Sequence, residues 1–300
     1  MNPLQKAGLS LPGKNLYMYT KSKTPNTLLQ AAACLLLFIA FNACKGGGKD
    51  GKEGSDSTKA VIAKPVPGTP IKYDSSKRYI FLTWDDAPQP PGTTNCKAAF
   101  QQQGVKATFF IVGMHQFDQR RKVLVDSLRN GYPQFLIANH SYTHAFRDHY
   151  KDFYTHPDSA VQDFMKAQTE LNYAVKIIRL PGNNSWVGKG ELRGPKSTMA
   201  VCKRLDSLGF NVIGWDVEWR FVNKGGSIPI QSADEMVKEV NDKFDNAITN
   251  EPNAIVILAH DRMFAKPQYL DSLNKFITTL KADKRNVFET IDHYPLVQRK

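Results

Sequence analysis

The feature that most constrains this chain is a repeated alternation of short apolar runs with segments of helical periodicity. The runs are rich in β-branched and aromatic residues, and they predict strands at residues 79–84, 107–112, 135–138, 175–180, 210–214 and 254–259, with a seventh candidate at 287–291. Helical patterns lie between them at residues 94–103, 121–129, 159–173, 197–208, 232–248 and 269–281. Continuous apolar strands that alternate with helices predict a parallel sheet covered on both faces. Because the chain has no Gly-rich phosphate loop, we expect an α/β barrel rather than a dinucleotide-binding sheet.

Composition restricts the function classes. Apolar residues make up 41% of the 300 residues and charged residues 23%, as in globular proteins, so a mostly disordered chain is excluded. Lys plus Arg number 40 against 28 Asp plus Glu, but the basic residues form no arm or stripe, so we expect no nucleic-acid partner. Four cysteines without a CxxC pair exclude a disulfide scaffold and a zinc knuckle. Two of them, Cys96 and Cys202, fit buried helical faces better than a disulfide.

The N-terminus has the pattern of a targeting signal. Lys21 and Lys23 precede an apolar run at 28–41, which is shorter than the roughly 20 residues that a membrane-spanning helix needs. The run leads through small residues to Cys44. This pattern resembles a bacterial lipoprotein signal, which implies cleavage before Cys44 and attachment of lipid to that cysteine.

A signal peptide at 1–43 predicts an extracytoplasmic protein of the bacterial envelope, periplasmic or on the outer surface, held to the membrane by the lipid on Cys44. A soluble signal cleaved nearby and an uncleaved anchor remain alternatives, and translation starts at Met1 or Met18. The Gly-, Lys- and Pro-rich residues 44–70 predict a flexible tether, and residues 71–300 a single catalytic domain.

Chemistry-bearing residues follow five of the predicted strands. In a parallel barrel the C-terminal ends of the strands share one face, and that face carries the active site. Five strands therefore deliver polar or aromatic groups to one mouth, from the segments 85–86, 139–144, 179–182, 215–219 and 260–261.

Two of these segments predict a metal site. His140 and His144 are spaced i, i+4, so one helical turn would put both imidazoles on one side. Two imidazoles and one carboxylate, from Asp85 or Asp86, make a three-ligand site that leaves a position for water. One aspartate can face the metal while its neighbour points elsewhere and takes a separate role. Each motif alone has a simpler interpretation, a surface histidine pair or a helix cap.

Together the motifs resemble those of the polysaccharide deacetylases, the NodB homology domain of carbohydrate esterase family 4. Residues 83–87 are similar to the family's TFDDG motif, 140–144 to HSxxH, 179–181 to RxP, 215–219 to its Asp/Trp motif and 258–260 to LxH. They occur in the family's order and cover about residues 78–295. The resemblance implies a distorted (β/α) barrel in one domain.

The resemblance also implies residue roles. Asp85 would be the general base, oriented by Arg179, and His260 the general acid. Asp86, His140 and His144 would bind a divalent metal, Zn²⁺ above all, with Co²⁺ or Ni²⁺ as alternatives.

Trp219, Leu258 and Trp215 would wall an acetyl pocket. Pro181 would also contact the substrate, and a backbone N–H at 181–183 would complete the oxyanion site. Three departures from the family pattern affect the surroundings of the site. Ala87 replaces a glycine, Gly182 stands where an aromatic residue is common, and the acidic residue before the tryptophan is Glu218, with Asp216 two positions earlier. Either carboxylate would tune His260, and the choice between them stays open.

These residues predict a metal-dependent enzyme that removes acetyl groups from an N-acetylated polysaccharide such as peptidoglycan, a chitin-like oligomer or an exopolysaccharide. We expect the enzyme to be a monomer. One alternative is an O-acetyl esterase on a substrate such as xylan, because an ester leaving group needs less protonation than an amine. The other is a non-catalytic glycan-binding lipoprotein on a deacetylase scaffold.

Overall fold

A ten-stranded sheet forms the centre of residues 66–299, the part of the chain that the computed structural model describes. The predicted signal peptide and tether residues 44–65 lie outside the described residues. The strands are β1 (Arg78–Ala87), β2 (Ala107–Ile111), β3 (Phe135–Asn139), β4 (Ile177–Ile178), β5 (Trp186–Gly188), β6 (Glu191–Arg193), β7 (Asn211–Val212), β8 (Val217–Glu218), β11 (Ala254–His260) and β12 (Asn286–Phe288). Along the sheet they run in the order β6-β5-β7-β4-β3-β2-β1-β11-β8, and β12 pairs with β1. A separate hairpin is formed by β9 (Phe221–Asn223) and β10 (Ser227–Pro229).

Helices connect the strands and cover both faces of the sheet. They are α1 (Gly92–Gln103), α2 (Gln119–Arg129), α3 (His144–Asp148), α4 (Tyr150–Thr155), α5 (Pro157–Glu170), α6 (Met199–Ser207), α7 (Ala233–Asp245), α8 (Pro267–Ala282) and α9 (Pro295–Gln298). Each of the six predicted helices is present. Their ends follow local signals: α1 stops at Gly104 in the left-handed conformation, and α7 begins with a capping box between Ser232 and Glu235.

The long central strands explain why the sheet is covered on both faces. Every residue of β11 up to Ala259 is buried, and so is every residue of β1 after Arg78. Side chains on one face of these strands pack with α1, α7 and α8, and those on the other pack with the C-terminal segment around Tyr294 and Leu296. The predicted parallel sheet is confirmed in the part of the sheet order that runs β7-β4-β3-β2-β1-β11-β8.

One edge of the sheet differs from the prediction. The runs predicted at 175–180 and 210–214 contribute only the two-residue strands β4 and β7. Beyond β7, the strands β5 and β6 add an antiparallel hairpin that turns at Gly190, where φ is +85°. Within residues 66–299 the end strands β6 and β8 do not pair, so the sheet curls without closing. This is the distorted (β/α) barrel that the sequence predicts.

The end of the predicted tether and the start of the predicted domain both contact the C-terminal end of the domain. The amide of Gly68 donates to Asp292 at 2.8 Å, and that of Ile71 donates to Gln298 at 2.6 Å. Cys96 and Cys202 are buried free thiols, as predicted. Within residues 66–299 no helix is both long and apolar enough to cross a membrane.

Candidate active site

The register of three strands brings the catalytic candidates together. Asp85 on β1 lies beside His260 on β11, and Leu258 on β11 lies beside Glu218 on β8. The carboxyl ends of these strands open into a cavity of about 590 Å³. Its charged, imidazole and aromatic lining residues are Asp85, Asp86, His115, His140, His144, Asp148, Tyr150, Trp215, Glu218, Phe221, His260 and Arg262.

A bulge at the end of β1 turns both aspartates into this cavity. In a regular strand neighbouring side chains point to opposite faces. Here the pairing of β1 with β2 shifts between Trp84 and Ala87, and Asp86 adopts a φ of +68°. The carbonyl oxygen of Asp86 contacts Nδ1 of His115 at 2.8 Å, which anchors the bulge. The expectation that one aspartate points elsewhere is wrong, because both line the cavity and differ only in their partners.

Asp86, His140 and His144 form a candidate metal site, since one ligand atom from each lies within 4.8 Å of the others. Nε2 of His144 is 3.1 Å from Oδ1 of Asp86, and Nε2 of His140 is 3.5 Å from it. The other ring nitrogens are occupied: Nδ1 of His140 contacts the carbonyl of Arg179 at 2.9 Å, and Nδ1 of His144 contacts Asp148 at 2.5 Å.

These contacts fit a bound cation. If each Nδ1 carries the ring proton, both Nε2 atoms present lone pairs toward Asp86. Oδ1 of Asp86 is then a buried acceptor facing two further acceptors, and it has no hydrogen-bond partner among residues 66–299. Three converging lone pairs without a proton between them are the donor set of a divalent ion such as Zn²⁺.

The two histidines converge for a reason that the sequence pattern did not indicate. His140 follows the end of β3 rather than lying on a helix, and Ser141 bends the chain with a φ of +68°. His144 then begins α3, in which every residue has a φ between +52° and +68°. The predicted helical turn between the two histidines is therefore wrong: an irregular segment bent at Ser141 joins them, and His144 begins a left-handed turn.

The charges in the cavity perturb several pKa values. Burial alone would raise the pKa of Asp86, but contacts with His140 and His144 and the charge of His260 hold it well below its ordinary value. Burial lowers the pKa of His144, but Asp86 and Asp148 outweigh burial and raise it. Asp86 therefore stays ionised.

Arg179 holds the other aspartate. The guanidinium is fully buried, with Nη1 3.0 Å from Oδ1 of Asp85 and 2.6 Å from the hydroxyl of Thr83. Its remaining N–H groups donate to the backbone carbonyls of Ile213 and Gly214. This network fixes one oxygen of Asp85, while Oδ2 lies 3.6 Å from Nε2 of His140 and faces the candidate metal site.

His260 lies on the same side of the cavity as Asp86, with Nε2 3.8 Å from Oδ2 of that residue. Its ring packs edge-on against Phe221. Burial lowers the pKa of His260, and the charges of Asp86 and Asp85 oppose this only in part.

Neither carboxylate considered for tuning His260 forms a hydrogen bond with it in the described part of the chain, where Nδ1 of His260 has no partner. Asp216 instead accepts the amides of Asn250 and Val256 at 2.7 and 2.8 Å, and burial raises its pKa to about 6. Glu218 lines the cavity, and burial raises its pKa.

The predicted substrate-contacting residues divide into two groups. Trp215 and Leu258 line the cavity. Trp219, directly after β8, does not: it is fully buried between Phe264 and Phe276, the latter in α8. Pro181 is buried behind the wall, where its carbonyl accepts the hydroxyl of Tyr154, and Gly182 reaches the cavity instead.

Six polar residues of the cavity were missed by the sequence reasoning, namely Gln89, His115, Asp148, Tyr150, Asn223 and Arg262. Arg262 lies 3.3 Å from Oδ2 of Asp86 and stacks over Phe221. It follows the LxH motif by two positions, which is a signal that could have found it. His115, Asp148 and Tyr150 belong to no motif, and only the fold brings them to the cavity.

Comparisons with known proteins agree with this geometry. The family model for polysaccharide deacetylase matches residues 72–184. A chitin disaccharide deacetylase of Vibrio alginolyticus is 23% identical over an alignment covering 79% of this chain and 77% of the relative. A chitooligosaccharide deacetylase of Rhizobium leguminosarum bv. phaseoli is 27% identical, covering 61% of this chain and 67% of the relative.

A solved structure is similar as well. The crystal structure of the peptidoglycan N-acetylglucosamine deacetylase Bc1960 superposes with a TM-score of 0.51 at 25% identity, covering 78% of this chain and 94% of that chain. The family match, the curated relatives and this fold confirm the resemblance that the motifs indicate. Over residues 72–184 and in its fold the chain is therefore similar to the polysaccharide deacetylases, which supports the hydrolase activity that the motifs imply.

Proposed function

We propose that this enzyme removes acetyl groups from N-acetylglucosamine units of a polysaccharide in a metal-dependent reaction. One observation carries the proposal: the Asp86–His140–His144 set, the Asp85–Arg179 pair and His260 meet in one cavity. The printed names of the relatives, on chitin, chitooligosaccharide and peptidoglycan N-acetylglucosamine, support the substrate class.

The candidate ligands suit zinc, because two imidazoles and a carboxylate leave a coordination position open. A bound divalent cation would supply a water of lowered pKa and polarise the acetyl carbonyl. The outer contacts of the two imidazoles, Asp148 and the carbonyl of Arg179, would keep both Nε2 atoms available to it.

Asp85 would accept the proton of the attacking water. Its Oδ1 is held by Arg179, so Oδ2 is the free oxygen and faces the centre of the cavity. A general base must lie within hydrogen-bond reach of the proton that it takes, and Arg179 holds Asp85 in that orientation.

His260 would donate a proton to the leaving amine nitrogen. Its imidazole lies across Asp86 from the two histidine ligands, and packing against Phe221 limits its rotation. Trp215 and Leu258 would enclose the acetyl methyl group.

Acetate release from N-acetylglucosamine pentamers, measured with protein loaded with one Zn²⁺, tests the proposal. We expect Asp85→Asn to lose at least 10³-fold in kcat/KM while it keeps its zinc. Asp152→Asn, which removes a carboxylate from exposed helix α4, is the matched control and should keep its activity. Turnover retained by Asp85→Asn, or a wild-type protein that binds no divalent cation, would contradict the proposal.

A second candidate, removal of O-acetyl groups, has one observation in its favour. Nδ1 of His260 has no hydrogen-bond partner among residues 66–299, so no hydrogen bond there fixes the tautomer of the imidazole. Esters need that proton less than amides do. Higher kcat/KM on acetylated xylan than on the pentamer would favour this candidate. The complete set of acid, base and ligand groups weighs against a non-catalytic glycan-binding role.

We also propose that the protein is tethered to the bacterial envelope through lipid on Cys44, as its N-terminal sequence suggests. In a bacterial host, the Cys44→Ala variant should no longer be labelled with palmitate, and it should no longer be recovered in the membrane fraction. Labelling that persists in this variant would contradict the anchor.

A further inference from the structure

The second candidate metal ligand is oriented by a contact that the reaction scheme above does not require. His140 is fixed by a buried backbone carbonyl, whereas Nδ1 of His144 is held by the carboxylate of Asp148, 2.5 Å away. Asp148 lies four residues later, at the end of the left-handed turn, and its side chain is largely exposed. The orientation of His144 therefore depends on one surface side chain and on whatever holds that side chain in place.

Tyr150 holds it. Its hydroxyl donates to the same Oδ1 atom of Asp148 at 2.9 Å, and its ring stands edge-on to His144 at 5.9 Å. A continuous chain of contacts thus runs from Tyr150 through Asp148 and His144 to Asp86. Carboxylate partners of this kind fix the tautomer and the ring orientation of metal-binding histidines.

The ring of Tyr150 is also part of the cavity wall. It lies against Gly182, where a Cβ atom would come within 2.9 Å of the ring, and Gly182 has a φ of +65°. The ring therefore takes the space that a side chain at position 182 would need. The ring of Tyr150 can occupy this space because residue 182 is a glycine.

We propose that Asp148 and Tyr150 are positioning residues for the metal centre: Asp148 fixes the Nδ1–H tautomer of His144, and Tyr150 holds Asp148 while its ring replaces a side chain at 182 in the substrate wall. Substrate that packs against Tyr150 thereby contacts the group that holds Asp148 in place. The inference rests on the proposed metal site, but it does not depend on the identity of the glycan.

Zinc titration against a chelating competitor tests the proposal without any turnover. We expect Asp148→Asn to weaken Zn²⁺ binding about 10- to 100-fold, and Tyr150→Phe to weaken it by a smaller factor. Asp152→Asn is the matched control, because Asp152 forms the same i, i+4 contact with His156, which does not line the cavity. It should bind zinc as the wild type does.

A spectroscopic readout separates positioning from general loss of structure. In ¹⁵N-histidine spectra of the zinc-free protein, His144 should be mainly the Nδ1–H tautomer in the wild type and a mixture in Asp148→Asn. Equal zinc affinities for Asp148→Asn and Asp152→Asn, or an unchanged tautomer, would overturn the proposal. A wild-type protein that binds no zinc would instead overturn the proposed function, so the two failures are distinguishable.

Discussion

Nη1 of Arg179 lies 3.0 Å from Oδ1 of Asp85, and neither side chain has significant contact with solvent. The same guanidinium occupies the carbonyls of Ile213 and Gly214, so it ties β1 to the segment after β7 as well as orienting the base. This pair thus belongs both to the fold and to the proposed chemistry.

Replacing only the arginine of this pair should destabilise the protein more than replacing both members. Arg179→Met leaves Asp85 as an unpaired buried charge, which costs about 3–5 kcal/mol of unfolding free energy. In the double variant with Asp85→Asn that charge is gone, and we expect part of the loss to be recovered. Urea unfolding of the zinc-free proteins measures both, and a double variant no more stable than Arg179→Met would contradict the expectation.

Arg262 should weaken metal binding. Its guanidinium lies 3.3 Å from Oδ2 of Asp86, so it competes electrostatically with any cation on the other oxygen. Even at the dielectric constant of bulk water, a unit charge about 4 Å away changes the binding free energy by about 1 kcal/mol. Arg262→Gln should therefore bind Zn²⁺ at least about fivefold more tightly in the chelator titration. Arg285→Gln, on an exposed arginine paired with Asp283, is the control, and weaker binding by Arg262→Gln would refute this view.

The two tryptophans of the fourth motif should separate in their effects. Trp219 is packed between Phe264 and Phe276, so Trp219→Ala should lower the unfolding free energy by about 3–5 kcal/mol. Trp215 lines the cavity, so Trp215→Ala should mainly raise KM and cost less than half as much stability. The comparison uses urea unfolding and acetate-release kinetics, and the reverse pattern would show that Trp219 is the substrate wall.

We expect Asp216 to make a pH-dependent contribution to the free energy of unfolding. Its pKa is raised to about 6 in the folded protein, mainly by burial, from an ordinary value near 3.8. The folded state then holds the proton more tightly than the unfolded state, so the contribution is fully present below about pH 4 and is lost as the pH rises through 6. Asn cannot ionise at this position.

The unfolding free energy of the wild type should therefore fall relative to that of Asp216→Asn by about 2 kcal/mol between pH 4.5 and 7.5. Urea unfolding of both proteins across this range gives the difference directly. A constant difference would mean that Asp216 ionises as readily in the folded protein as in the unfolded chain.

The sequence predicted those parts of the fold in which burial sets the pattern. Strands such as β1 and β11 are buried on both faces, so they read as continuous apolar runs, and helix ends carry cap signals such as Gly104. Strands of two or three residues, such as β5 and β8, are too short to leave a periodic pattern. Their existence depends on neighbours distant in the chain.

The candidate site divides in the same way. The motif residues on strand ends, such as Asp85 and His260, follow from their positions on β1 and β11. The bulge at Asp86 and the left-handed turn at His144 could not be predicted from the sequence, since neither contains a glycine that would indicate a positive φ. Asp148 and Tyr150 reach the cavity only because of that turn.

The left-handed turn has a consequence for the assembly of the metal centre. Each non-glycine residue in this conformation costs roughly 1–2 kcal/mol, so residues 144–148 do not hold it in an isolated chain. The surrounding sheet has to impose it, and we expect His144 to reach its place only after β1 and β3 have paired with β2. A newly synthesised chain would then have little capacity to capture a metal ion prematurely, and metal binding would follow completion of the sheet.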